Sequence, residues 1–224
     1  MLTLAINTAT TNTSVALLKN SKILVEKSWP ARKNEAEKLL PAISIAFKKA
    51  KLSFSDLGGI LSVAGPGAFT GLRVGVAIAN GIAFSCNIPV FQCSTFDFLR
   101  HAVVNSKRER TVIMTKGGGP YFALMKSGQK KPLHVEADKL VDWLLKQKSI
   151  HYIFADIKNE EIKKLQKELS ARKKKIVFLN LKKDLNFGKA FIEILNKKPP
   201  AHNMVKPLYL NKPQITQSKK DIYT

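Results

Sequence analysis

The chain has 224 residues, 45% of them hydrophobic, and its 38 Lys and Arg outnumber 16 Asp and Glu for a formal net charge of +22. That length gives one ordinary domain or two small lobes, with a core that needs neither disulfides nor metals. Cys86 and Cys93 form no C-x-x-C pair and read as core thiols of a chain kept in a reducing compartment. The apolar start, Met1 to Ile6, follows no basic residue and is broken by Asn7 and Thr8, which excludes a signal peptide. No run of transmembrane length is apparent, so a soluble, cytoplasmic protein is expected. The charge attracts polyanions or marks a lysine-rich surface, since lysines dominate and no RNA-reading motif accompanies them.

In chain order, Leu2–Ile6, Ser14–Leu18 and Ile23–Val25 alternate as three strands of an antiparallel meander, with the tight turn Asn20-Ser21 between the last two. A helix follows from about Asn34 to Ala50. Its stripe is Ala36, Leu39, Leu40, Ile43, Phe47 and Ala50, Asn34 is an acceptable N-cap, and Pro41 should kink it. Ile60–Val63 reads as a buried strand, then a glycine turn leads into a second helix over about Gly71–Phe84. Ile88–Phe91 is a strand and Thr95–Val104 a third helix.

The texture changes near Ser106. Strands at Val112–Met114 and Tyr121–Leu124 flank Gly117-Gly118-Gly119-Pro120. Helix near Ala137–Lys146, strand Tyr152–Ala155, helix near Glu160–Leu169, strand Ile176–Leu179 and helix Phe187–Leu195 follow. No internal repeat shows in the sequence. The expected fold is α/β, with mixed sheets whose first three strands are antiparallel, as in the ribonuclease-H-like half of actin-type proteins. The expected organisation is a first lobe over 1–105, a smaller second lobe over 106–200, and a segment 201–224 that docks back through Pro207-Leu208-Tyr209-Leu210.

The most specific string is Gly65-Pro66-Gly67-Ala68-Phe69-Thr70-Gly71-Leu72-Arg73-Val74-Gly75. A strand, a glycine turn and a helix start make a ready anion site. It is not a P-loop, because no Gly-Lys-Ser/Thr follows and Pro66 lacks an amide. Thr70 could cap the helix. Gly67, Gly71, Gly75, Ala79 and Ala83 recur at every fourth position, a strip that would let another helix approach closely, with the helix over 34–50 as its natural neighbour. Two such helices side by side form a plausible partner surface.

Leu4–Thr8, Glu35-x-x-Lys38-Leu39-Leu40-Pro41, the glycine string, Ala79–Ala83, Ile88-Pro89, Ser94-Thr95 and Pro207-x-Tyr209-Leu210 resemble the TsaB (YeaZ) family in order and spacing. The resemblance is dense over 1–100 and thin over 101–200. It implies an actin-like, two-lobed pseudoenzyme with no metal and no catalysis. Such a subunit pairs with the catalytic paralogue TsaD and is joined by the ATPase TsaE, in forming threonylcarbamoyladenosine at position 37 of tRNAs that read A-starting codons. By position it implies an interface of Ala36, Leu39, Leu40, Ile43 and Phe47 with Gly71, Val74, Gly75 and Ile78. It also gives a motif turn of Gly65, Pro66, Gly67, Phe69, Thr70 and Arg73. The same faces could form a homodimer in the lone protein, and Gly75→Leu is expected to abolish pairing. No cofactor is required, though a nucleotide could be held weakly at the subunit junction.

The chain departs from the family at Asn7, where Asp is usual, at Lys33-Asn34 for His-Ser, over Lys116–Tyr121, and at Asn211 for Arg. An Asp at the end of the first strand of actin-like ATPases helps hold a hydrated metal, and Asn7 lacks its charge. The positions of the paralogue's His-x-x-x-His metal pair hold Thr95 and Leu99. Two other functions stay open: an actin-like ATPase or small-molecule kinase using the glycine turn, and a basic RNA-binding module.

Overall fold

The computed structural model describes residues 1–32, 34–102, 111–116, 121–126, 132–147, 152–179 and 186–209. The first lobe opens with β1 (Leu2–Asn7), β2 (Asn12–Lys19) and β3 (Lys22–Pro30), followed by α1 (Glu35–Ala50), β4 (Gly59–Val63), α2 (Phe69–Cys86), β5 (Val90–Cys93) and α3 (Thr95–Ala102). Its sheet runs β3-β2-β1-β4-β5. β1–β2 and β2–β3 pair antiparallel, while β1–β4 and β4–β5 pair parallel. Every residue of β1 is buried, as a central strand covered on both faces must be.

The second lobe holds β6 (Thr111–Lys116), β7 (Tyr121–Lys126), β8 (Leu133–Glu136), α4 (Leu140–Lys146), β9 (Tyr152–Asp156), α5 (Asn159–Ala171) and β10 (Val177–Leu179). Its sheet, β10-β9-β6-β7-β8, has antiparallel β6–β7 and β7–β8 pairs and parallel β6–β9 and β9–β10 pairs. This is the first lobe's wiring repeated: three antiparallel strands, then two parallel ones on the other side of the first. The chain therefore has the duplicated, actin-like architecture expected of it, although its sequence shows no repeat. β8 was not anticipated, because Leu133 and His134 are exposed and the alternation is too short to read.

The lobe boundaries differ from those read in the sequence. A last helix, α6 (Phe187–Asn196), lies within the stretch assigned to the second lobe but packs on the first, against α3, β2 and β3. Phe187, Ala190, Phe191 and Ile194 join the first lobe's core, and Phe98 stacks on Phe187 at 5.6 Å between ring centroids. A separate core around Met114, Leu140, Leu144 and Ile153 serves the second lobe. Residues 202–208 run back along the first lobe: His202 pairs with Val90, and Leu208 N–H donates to Ala64 O at 2.7 Å.

Two local expectations also change. α1 continues through Pro41 as one helix. The carbonyl that Pro41 leaves unbonded is that of Glu37, on the exposed side where water replaces the missing amide. Asn34 stands at the N-cap, but its side chain makes no capping bond. α2, by length and composition, could reach across a bilayer, contrary to the expectation of no such run; within this fold a third of it is buried.

Candidate functional site

The β1–β2 turn is built around Asn7, which is fully buried. Asn7 Nδ2 donates to Thr10 Oγ1 (2.7 Å) and to Asn12 O (3.0 Å), and Asn7 Oδ1 accepts from Ala9 N–H (3.1 Å). Both ends of the amide are committed to shaping the turn. An Asp here could not make the two donations, so the residue is a structural keystone and brings no charge for a metal. Asn7 does not line the cleft beside it.

α2 packs beside α1, as the spacing suggested, but the three glycines of its small-residue strip lie against this turn, Gly71 also facing Glu35 of α1. A Cβ on Gly67 would fall on Ala9 O, one on Gly75 on the Thr8 side chain, and one on Gly71 within 2.9 Å of Thr8 O. The glycines exist so that Thr8 and Ala9 can lie against α2. Gly75 and Gly71 are therefore internal, and a large residue at 75 attacks the fold before any interface. Gly65 has φ +111°, and a Cβ there would meet Leu208 O at 2.7 Å. Pro66 follows through a cis bond and is buried with Gly67. The N-cap of α2 is Ala68; Thr70 is an exposed residue of the helix and caps nothing.

Between the lobes lies a cleft of about 980 Å³, lined by Thr8–Asn12, the starts of α1 and α2, and Asp156–Lys163 with Thr115 and Phe178 from the second lobe. Its most perturbed group is Asp156, at the end of β9 and 3% exposed. Thr11 gives Asp156 Oδ1 both its N–H (2.8 Å) and its hydroxyl (2.6 Å), and Thr115 gives Oδ2 its hydroxyl at 3.3 Å. Burial pushes the carboxyl up to about 6; the bonds from Thr11 and Thr115 pull the other way and do not overcome it. Glu35, at the first turn of α1, is 4% exposed, and its Oε1 finds no partner. Glu35 stood out in the sequence only as part of the Glu35-x-x-Lys38 segment, and Asp156 not at all. Asp156 could have: it is a lone acid ending the apolar run Tyr152–Ala155.

Beside the cleft, Arg73 lies over the Phe69 ring at 3.7 Å and donates from Nε to Tyr209 Oη at 3.1 Å. Phe69 and Tyr209 stand 5.3 Å apart. The motif's Phe and Arg thus hold the returning segment. Asn80 holds it too, donating to Val205 O and accepting from Val205 N–H.

The proposed interface positions divide sharply. Leu39, Ile43 and Phe47 are at most 3% exposed and fill the first lobe's own core, so no partner can reach them. Gly71 and Gly75 are buried as described, Val74 and Ile78 are half-buried, and Ala36 and Leu40 are exposed. The large apolar residues left exposed on α1 and α2 are instead Leu40, Ile45 and Phe84, at 46%, 45% and 91% exposure, with Gly81 facing open space. Periodicity finds that a stripe exists but cannot say which side of an apolar helix is inside. Thr95 and Leu99 are fully buried core residues. Of the remaining departures, Lys33, Gly117–Pro120 and Asn211 lie outside the described residues.

Residues 29–187 match the family model described as TsaD, tRNA N6-adenosine threonylcarbamoyltransferase. Among named relatives, the tRNA threonylcarbamoyladenosine biosynthesis protein TsaB of Buchnera aphidicola (from Schizaphis graminum) is 29% identical, over 82% of this chain and 91% of its own. The chain belongs to this family, in its TsaB (YeaZ) branch. The TsaB of Bacillus subtilis is 31% identical over 44% of this chain and 43% of its own. The solved YeaZ of Pseudomonas aeruginosa superposes with a TM-score of 0.64 at 18% identity, over 93% of this chain and 99% of that one. A second structure, described as similar to peptidase YeaZ from the same organism, gives 0.67 at 20%, over 94% and 99%. The structural likeness establishes the TsaB fold.

Proposed function

We propose that this TsaB-family chain is a non-catalytic subunit of the cytoplasmic machinery that makes threonylcarbamoyladenosine at position 37 of tRNA, where it pairs with and activates a TsaD-type catalytic paralogue. The observation that carries the reading is the large apolar side chains left exposed on α1 and α2. Phe84 is 91% exposed on α2, and Leu40 and Ile45 on α1 are 46% and 45% exposed. Large apolar groups left on a surface mark a place for another protein. A TsaE-type ATPase and tRNA complete the proposed assembly, and the lone chain would form a homodimer through the same face. No cofactor is required; a nucleotide held weakly at the subunit junction is compatible with this arrangement.

The test is co-purification with the TsaD-type protein of the same organism, followed by sizing. A stable heterodimer supports the reading; no association with nucleotide and tRNA both supplied refutes it. The ATPase or kinase reading has the interlobe cleft in its favour and the neutral, fully bonded Asn7 against it. Magnesium-dependent ATP hydrolysis that tracks this chain through purification would revive it.

A further inference from the structure

The scaffold role leaves the +22 charge without a task, and part of that charge is clustered. Between Lys158 and Lys175, eight Lys or Arg stand against three Glu. α5 buries Leu165 and Leu169 and turns Lys163, Lys164 and Lys167 to solvent. Lys163 and Lys167 are one helical turn apart, a like-charge spacing that weakens a helix, and only Glu160 stands at an offsetting spacing from either of them. None of these three has an ion pair among the described residues. Past the helix, Arg172 is tied to Asp142 at 2.8 Å and Lys174 Nζ donates to Gln147 O, which fixes the turn.

That turn forms one wall of a groove of about 640 Å³ against β10, lined by Lys173, Lys174 and Lys175 above Leu169 and Ile176. At its other end α5 reaches the interlobe cleft, where Lys158, Lys163 and Gln166 stand in the wall. The cations therefore extend over about 20 Å, the length of a 13-residue helix, outnumbering Glu160, Glu161 and Glu168 among them. A track suits a chain of phosphates better than a single one. The other exposed residues of the helix are Asn159, Glu160, Gln166, Ser170 and Ala171, none of them large and apolar, whereas a helix that settles on lipid interleaves its lysines with large apolar groups.

We propose that the exposed face of α5, continued through Arg172–Lys175 into the groove beside β10, binds the phosphate backbone of RNA. This rests on the reading above in one respect: the RNA is then the tRNA being modified, gripped by the second lobe while the first lobe holds the protein partner.

The experiment titrates labelled tRNA with the full chain between 50 and 200 mM salt. It compares the wild type with K163E/K167E/K173E, with the neutral K163Q/K167Q/K173Q, and with K19E/K22E/K27E on the exposed side of β2 and β3. The first is expected to lose at least tenfold in affinity at 50 mM and to flatten the log–log salt slope by about two to three, as for three lost phosphate contacts. The Gln variant should fall between it and the wild type, and the β2–β3 variant should stay within about twofold of the wild type. Equal weakening by both charge reversals overturns the track in favour of diffuse attraction. Tighter binding to phosphatidylserine vesicles than to tRNA overturns it in favour of a membrane. Absence of tRNA binding at 50 mM overturns it outright. TsaD pairing, measured on the same samples, reports separately on the scaffold role, since none of the substituted lysines lies on α1 or α2.

Discussion

Thr11 donates to a single oxygen of Asp156 twice, from its backbone N–H at 2.8 Å and from its hydroxyl at 2.6 Å. These two residues belong to different lobes, so the bond pair is a clasp across the cleft. Asp156 carries a carboxyl raised by burial to about 6. A carboxyl raised on folding binds more protons in the folded state than in the unfolded one. Its stabilising contribution is full below about 4 and is lost as pH rises through about 6. Asp156→Asn keeps an acceptor for Thr11 without the charge. It should flatten the stability profile between pH 4 and 7 and gain up to roughly 3 kcal/mol at neutral pH, for a shift of about two units. Asp156→Ala strands Thr11 and should lose about 1–3 kcal/mol. Urea unfolding at several pH values measures both; an Asn variant with an unchanged profile would contradict the clasp's titration.

Gly75 and Thr8 form a second dependent pair. Gly75→Ala is expected to destabilise the chain by about 1–3 kcal/mol through overpacking, because its Cβ collides with the Thr8 side chain. Thr8→Ala removes the colliding hydroxyl and methyl. The double variant should recover much of the loss, giving a coupling energy of at least about 0.5 kcal/mol in a double-mutant cycle. Additive losses would show that the strip does not serve this turn.

Phe84→Glu separates folding from pairing. The ring is 91% exposed, so unfolding should move by no more than about 0.5 kcal/mol. Affinity for the TsaD-type partner should drop more than tenfold, as for a central aromatic anchor. Calorimetric titration after a melting scan checks both, and full affinity in the variant would place the partner elsewhere.

Tyr209 is predicted to act as a buckle. Tyr209→Phe loses only the bond from Arg73 Nε, costing about 1 kcal/mol or less. Tyr209→Ala also removes the ring against Phe69, and the melting temperature should fall by several degrees, more than in the Phe variant. Equal melting points for the two would assign the whole effect to the hydroxyl.

Most of the architecture could be read from local pattern. β1, α1 and α2 announce themselves through alternation or spacing, and the glycine string fixes the turn between β4 and α2. What escaped reading shares one cause, namely that it is settled by contacts between distant segments. The every-fourth-residue strip on α2 looks like a helix contact, and α1 does pack beside α2, but at its three glycines Thr8 and Ala9 fill the space. Leu39, Ile43 and Phe47 make a convincing stripe whichever way it faces. α6 follows the second lobe in sequence, yet its phenylalanines pack on Phe98. The clasp joins residues 145 positions apart, and neither Thr11 nor Asp156 carries a local sign of the other.

Asn186 N–H donates to Ala102 O at 3.3 Å, so the chain leaves the first lobe and rejoins it at one pinch point. The second lobe hangs there as an insertion between α3 and α6, and insertions with adjoining ends can be reshaped without disturbing their host. During synthesis the same arrangement imposes a delay. Phe98 must wait for Phe187 and Phe191, made about ninety residues later. The first lobe, started first on the ribosome, is therefore the last to close, and its half-built apolar core must be shielded until α6 emerges.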